Sequence, residues 1–188
     1  MAMKISDCVY TSCYCEENVW KLCEKFQSLS KVDHIKVAFI SNQNRMVPLW
    51  QQSSGQPPDY MAVWDYHVIL LETVNEPSRT TLVWDLDTKL SFPVAFTEYA
   101  SRALRPRDLP VCYQQLFRVV GGAEYLQTFA SDRSHMMNAD GSWKSPLPTY
   151  APIQTKDCKN NIQEFISMDP ASNAPGNILT FQQLTDQF

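Results

Sequence analysis

Two strongly apolar segments, each with one ionisable residue inside it, constrain this chain more than any other feature. Residues 63–71 and 80–86 read as β-strands, and Asn75, Glu76, Pro77 and Ser78 between them read as a turn. The pair therefore predicts an antiparallel hairpin. His67 lies within Trp64-Asp65-Tyr66-His67-Val68-Ile69, and Asp85 within Val83-Trp84-Asp85-Leu86-Asp87. A titratable group in an apolar strand is costly unless it is hydrogen-bonded or paired. If His67 faces Asp85, the hairpin midpoint falls at Glu76, inside the turn, and directly opposed residues point to one face. The carboxylate would then orient the imidazole. Asp87 shares that face, so pairing arithmetic does not separate it from Asp85. The plainer alternatives are a core histidine satisfied by a carbonyl and an aspartate capping a strand end.

Around this hairpin the chain reads as α+β. Residues 15–26 are predicted helical, because Val19, Leu22, Cys23 and Phe26 recur on one face and Glu16 and Glu17 complement the dipole of the first turn. Residues 36–40 and 46–50 read as strands joined by a turn at 41–44, with Pro48 marking an edge or a broken ladder. Residues 53–60 are a loop, 96–104 a helix, 116–120 a strand ended by Gly121 and Gly122, 145–152 irregular, and 181–188 a short helix. A helix first and strands afterwards give a helix packed on a mostly antiparallel sheet. With no repeat and no shift in composition, the 188 residues are expected to form a single domain, 1–188.

Cys15 falls at the start of the first helix. There the dipole and the unpaired amides favour thiolate, and the same amides can hold an oxyanion. Taken alone the position is unspecific, since most intracellular cysteines are small buried hydrophobes. Together, Cys15, His67 and Asp85 supply a nucleophile, a base and an orienting acid in that chain order.

Charge narrows the function classes. The formal net charge is −4 and no Lys/Arg cluster occurs, which excludes a nucleic-acid footprint. The N-terminal residues lack the apolar run of a secretion signal, and no stretch is long enough to span a membrane. A soluble intracellular protein of the cytoplasm and nucleus is expected, its six cysteines free rather than disulfide-bonded.

Several strings, in order along nearly the whole chain, resemble those of the protein N-terminal glutamine amidohydrolase family. They are Ser12-Cys13-Tyr14-Cys15-Glu16-Glu17-Asn18, Trp64-Asp65-Tyr66-His67-Val68, Asp85-Leu86-Asp87-Thr88, Phe129-Ala130-Ser131-Asp132-Arg133-Ser134-His135-Met136 and Phe165-Ile166-Ser167-Met168-Asp169-Pro170. The resemblance implies a papain-like or transglutaminase-like α+β fold in a monomer that needs no metal or cofactor. It implies Cys15 as nucleophile, His67 as base and Asp85, the first aspartate of Asp-Leu-Asp, as acid. It implies deamidation of the N-terminal glutamine of proteins and peptides to glutamate through a thioester, with the product entering the arginine branch of the N-degron pathway.

Selectivity for an N-terminal glutamine requires a group that reads its α-amino nitrogen, and a buried ammonium needs a carboxylate or several carbonyls. Glu16, Glu17 and Asp132 are the substrate-binding candidates, against plain roles in dipole compensation for the first two and in a turn for the third. His135 reads as a loop histidine, and Trp64 and Tyr66 as core. Two alternatives use the same residues differently. A thiol peptidase or a transglutaminase-like acyltransferase would use the same three groups on another acceptor or bond. A zinc-binding module would draw on Cys8, Cys13, Cys15 and one histidine, but no second Cys-x-x-Cys or His pair supports it.

Overall fold

The computed structural model describes residues 3–75, 77–106 and 109–188. Its first long element, α1 (Cys15–Ser28), buries the stripe expected from the sequence: Val19, Leu22, Cys23 and Phe26 are at most 2% exposed. Each such side chain stabilises the fold by about 1.5–3 kcal/mol relative to its exposed state. Asn18 fastens the chain entering the helix, since its side chain both accepts from the Thr11 amide and donates to the Thr11 carbonyl, each at 2.8 Å.

Among the described residues eight strands follow or intervene: β1 (Ile35–Ser41), β2 (Val47–Leu49), β3 (Ala62–Trp64), β4 (His67–Val74), β5 (Thr80–Trp84), β6 (Val94–Ala95), β7 (Leu116–Gly121) and β8 (Asn177–Thr180). Six of them form one sheet in the order β6-β5-β4-β1-β7-β8, antiparallel at every pairing. The short helices are α2 (Phe96–Tyr99), which runs on as a π-helical stretch over Ala100–Leu104, then α3 (Gly122–Thr128), α4 (Ile162–Ile166) and α5 (Phe181–Gln187). The architecture is α+β with a mostly antiparallel sheet. Among the described residues no helix is long and apolar enough to cross a membrane.

Alternation along the strands builds a core on each face of the sheet. Val37, Phe39, Val68 and Leu70 join α1, Tyr125 and Phe165 on one side. Ala38, Ile40, Ile69, Leu71 and Val83 join Tyr99, Ala103, Phe117 and Leu184 on the other.

Three expectations need correction. The segment 63–71 is two strands, not one: β3 pairs with β2 in a separate two-stranded sheet, and the chain breaks at Asp65 and Tyr66 before β4 enters the main sheet. Ser41 holds that break by donating to the Asp65 carbonyl at 2.7 Å. Next, 46–50 does not form a hairpin with 36–40. Both edges of β1 are taken by β4 and β7, and Asn42 turns the chain away by bonding the Met46 carbonyl and the Asn44 and Met46 amides. Finally, the hairpin of β4 and β5 places Leu70 opposite Trp84 and Leu71 opposite Val83, two residues away from the register expected. A shift of two preserves the face, so His67 and Asp85 become diagonal rather than direct neighbours.

Candidate active site

α1 packs on β4, with the Val68 amide near the start of that strand beside the Cys15 sulfur at the head of the helix. Cys15 is the first residue of α1 and is 7% exposed. The helical ladder begins with the bond from the Asn18 amide to the Tyr14 carbonyl, 2.9 Å, which leaves the amides of the preceding turn outside it. Burial pushes the Cys15 thiol well above its ordinary range, reinforced by the carboxylates of Glu16 and Asp87, while the Val68 amide beside the sulfur works in the other direction. Burial therefore opposes the thiolate that the helix dipole alone would favour.

His67 opens β4 and is fully buried. Its Nε2 lies 2.9 Å from Asp85 Oδ1. Burial disfavours the imidazolium, but the Asp85 carboxylate outweighs it, with smaller help from Asp87 and Glu16, and the His67 pKa is raised. Asp85 is displaced the other way. Burial opposes its ionisation, yet His67, Gln52 and the Asp87 amide together hold it below the usual carboxylate range. An ionised carboxylate only accepts, so Nε2 carries the proton and Nδ1 is left as a buried nitrogen without a partner. The ring of Trp64 stacks on that of His67 with centroids 5.0 Å apart. Trp64 thus packs against the histidine and lines the cleft, and it also packs, partly buried, on the core.

Asp85 accepts from four donors. Besides His67, the Asp87 amide reaches Oδ1 at 2.9 Å, and Tyr99 Oη and Gln52 Nε2 reach Oδ2 at 2.8 and 3.1 Å. Gln52 and Tyr99 were missed from the sequence. Tyr99 does carry a signal, since Phe96, Tyr99, Ala100 and Ala103 recur at helical spacing and are buried. Gln52 carries none, lying just before a loop rich in Gly and Pro. The ambiguity between the two aspartates is resolved in geometry: Asp85 bonds the histidine, whereas Asp87 accepts from Tyr10 Oη at 2.6 Å.

A cleft of about 500 Å³ opens beside Cys15. Cys13, Trp64, Asp65, Tyr66, Asp87 and His135 are among the residues that line it. Of the three acidic residues expected to meet substrate, none lines it. Glu16 is fully buried behind Tyr66 and His135; it accepts from Tyr66 Oη at 2.9 Å, and its Oε1 lies 3.5 Å from His135 Nε2. Glu17 is paired with the Arg133 guanidinium through two bonds of 2.8 Å. Asp132 is exposed and accepts from the Ser134 amide and from Asn160 Nδ2. All six cysteines are free thiols. Among the described residues, the group with metal-ligand spacing is His67, Asp85 and Asp87, within 4.8 Å of one another; Cys8 and Cys13 are not part of it.

The chain matches the family model described as N-terminal glutamine amidase over residues 10–188. It is 41% identical to the protein N-terminal glutamine amidohydrolase of Homo sapiens over 184 residues, which cover 96% of this chain and 88% of that protein. The proteins of the same name from Danio rerio and Drosophila melanogaster are 45% and 41% identical, with 88% and 98% of this chain matched to 82% and 90% of theirs. With its cysteine-headed helix, buried histidine–aspartate pair and a match along nearly its whole length, the chain belongs to a family of enzymes. That family is the N-terminal glutamine amidases.

Proposed function

We propose that this protein hydrolyses the side-chain amide of an N-terminal glutamine in proteins and peptides, giving glutamate and ammonia. The observation that carries the reading is the bond of 2.9 Å between His67 Nε2 and Asp85 Oδ1, which leaves His67 Nδ1 unpartnered, with the Cys15 sulfur beside the amide of the next residue, Val68. The relatives, protein N-terminal glutamine amidohydrolases, supply the substrate.

In this reading Cys15, His67 and Asp85 act as nucleophile, base and orienting acid. The buried thiol is protonated at rest, so His67 Nδ1 takes its proton as the sulfur attacks the amide carbon. Amides of the first turn of α1 accept the developing oxyanion. The imidazolium then gives its proton to the amide nitrogen, the C–N bond breaks, and ammonia leaves a thioester on Cys15. Water, deprotonated by His67, attacks that carbonyl, the C–S bond breaks, and the thiol is restored as glutamate departs. Asp85 keeps the proton on Nε2 and stabilises the transient imidazolium.

Of the acidic candidates, Glu16 sits nearest the chemistry, and it serves substrate binding by holding Tyr66 and His135, which line the cleft. Glu17 and Asp132 support the loop that carries His135, through Arg133 and Ser134. The reading extends to a papain-like, transglutaminase-like fold in one catalytic domain over 1–188, working as a monomer without cofactor in the cytoplasm and nucleus. Its glutamate product is then a substrate for arginylation.

Three peptides, identical but for a free N-terminal Gln, an acetylated Gln or an internal Gln, test this by mass spectrometry and ammonia release. Only the first is expected to react, with one ammonia per glutamate, and Cys15→Ala is expected to lose about 10³–10⁴-fold in rate or more. A pyroglutamyl peptide is expected to be inert. Backbone cleavage or amine incorporation would instead mark a thiol peptidase or an acyltransferase, and a fully active Cys15→Ala would refute the nucleophile.

A further inference from the structure

An enzyme that accepts glutamine only at the start of a chain must bind the α-ammonium, and an ammonium leaving water requires an anion beside it. The carboxylates near Cys15 differ in what they offer. Asp85 is saturated by four donors. Glu17 is neutralised by Arg133, and Glu16 is fully buried behind Tyr66 and His135. Two carboxylates line the cleft itself, Asp65 and Asp87. Asp65 is exposed, and its Oδ1 is occupied by the Tyr66 amide at 2.9 Å. Asp87 is only 7% exposed, and its Oδ1 is anchored by the Tyr10 hydroxyl at 2.6 Å. Its Oδ2 has no hydrogen-bond partner among the described residues.

We propose that Asp87, held by Tyr10, is the carboxylate that binds the substrate's α-ammonium and so restricts the reaction to the chain terminus. This rests on the amidohydrolase reading and adds its specificity determinant. In glutamine the α-nitrogen lies four bonds from the amide carbon, so its anion must sit near the nucleophile without touching it. Asp87 meets that requirement: it lines the same cleft as Cys15 and lies with the His67–Asp85 pair inside 4.8 Å. Burial and the neighbouring Asp85 raise its pKa, as they would for a carboxylate whose missing partner is a cation. The Tyr10 bond fixes the rotamer, so Oδ2 is aimed before substrate arrives. Exposed Asp65 can offer a screened charge but no dry, oriented pair.

The test compares a Gln-peptide with its desamino analogue, the 4-carbamoylbutanoyl peptide, in wild type, Asp87→Asn, Tyr10→Phe and Asp65→Asn. Wild type should prefer the Gln-peptide by about 10²-fold in kcat/KM, the scale of a desolvated charge pair. Asp87→Asn should lose about 30–100-fold on the Gln-peptide, mostly in KM, and far less on the analogue, so that the preference collapses. The inhibition constant of the analogue, taken as a competitor, should change little, which also verifies that the variant is folded. Tyr10→Phe should lose part of the preference, and Asp65→Asn should keep it. The proposal is overturned if Asp87→Asn keeps the preference, if it slows both substrates equally, as a residue acting through His67 would, or if Asp65→Asn removes the preference instead. Failure of wild type to release ammonia from the Gln-peptide would overturn the amidohydrolase reading itself, a result distinct from all of these.

Discussion

At the scale of single residues, the site turns on how Asp85 is held. A buried carboxylate is tolerated only where its lone pairs are filled, and here two donors reach each oxygen. That arrangement keeps Asp85 ionised, and the anion in turn holds the His67 pKa above the ordinary histidine value of 6.5. The sign of the pH dependence follows. In the proposed mechanism His67 must be neutral to take the Cys15 proton, so activity is expected to rise with pH as the imidazolium deprotonates. The acid limb of kcat/KM therefore lies above 6.5 in wild type. In Asp85→Asn the anion that stabilises the imidazolium is gone while the burial that disfavours it remains, so the limb moves to lower pH. The rate at the plateau is expected to fall by about 10²–10⁴-fold, because an amide no longer selects the Nε2–H tautomer. A pH profile of ammonia release measures both effects. A limb that stays in place or moves upward would show that Asp85 does not govern His67.

At the scale of elements, the sequence spoke clearly wherever periodicity was long and the partner was near in the chain. The stripe of α1 and the apolar runs of β1, β4, β5 and β7 were legible, and so was the shared face of His67 and Asp85, because a register error of two leaves the face unchanged. The pairing of β2 with β3, the break at Asp65 and the short α3, α4 and β8 were not legible, since they depend on contacts distant in sequence or span too few residues for a pattern. Asp85 could not be told from Asp87 for a related reason: what separates them is Gln52, Tyr99 and Tyr10, which come from three other segments. One device that the sequence conceals secures the edge of the sheet. Arg118 on β7, 2% exposed, donates to the carbonyls of Ser167 and Ala174 and so straps the loop before β8 onto the sheet. Gly176 then turns that loop into β8 with φ +88, and a Cβ there would meet the Val119 carbonyl and lie 2.6 Å from the Val120 side chain. Gly176→Ala is thus strained in dihedral and in space, and a loss of more than about 1 kcal/mol of stability is expected. Neither Val119 nor Val120 lines the cleft beside Cys15, so kcat measured well below the melting temperature should change little. Unchanged thermal stability in Gly176→Ala would contradict the strain argument.

At the scale of the whole molecule, one sheet carries two cores. Each of β1, β4 and β7 sends alternate side chains to opposite faces, so that Phe39 and Ile40, neighbours in the chain, belong to different clusters. Cys15 and α1 lie in the first cluster, α5 and its buried Leu184 in the second. Loss of either core exposes the same strand backbones, whose hydrogen bonds neither half can keep alone. Unfolding is therefore expected to be a single transition, with circular dichroism and enzymatic activity lost together in urea. Leu184→Ala removes a fully buried side chain on the face away from Cys15. It is expected to cost about 2–5 kcal/mol, to shift both midpoints by the same amount and to leave the urea m-value unchanged. If activity instead outlasted the circular dichroism transition in this variant, the helix α1 and the strands it covers would form a unit stable without α5. The site would then owe nothing to α5. Coincident midpoints would mean that the cleft beside Cys15 is held in shape by packing on both faces of the sheet, and that substitutions remote from it act on activity through the population of folded molecules.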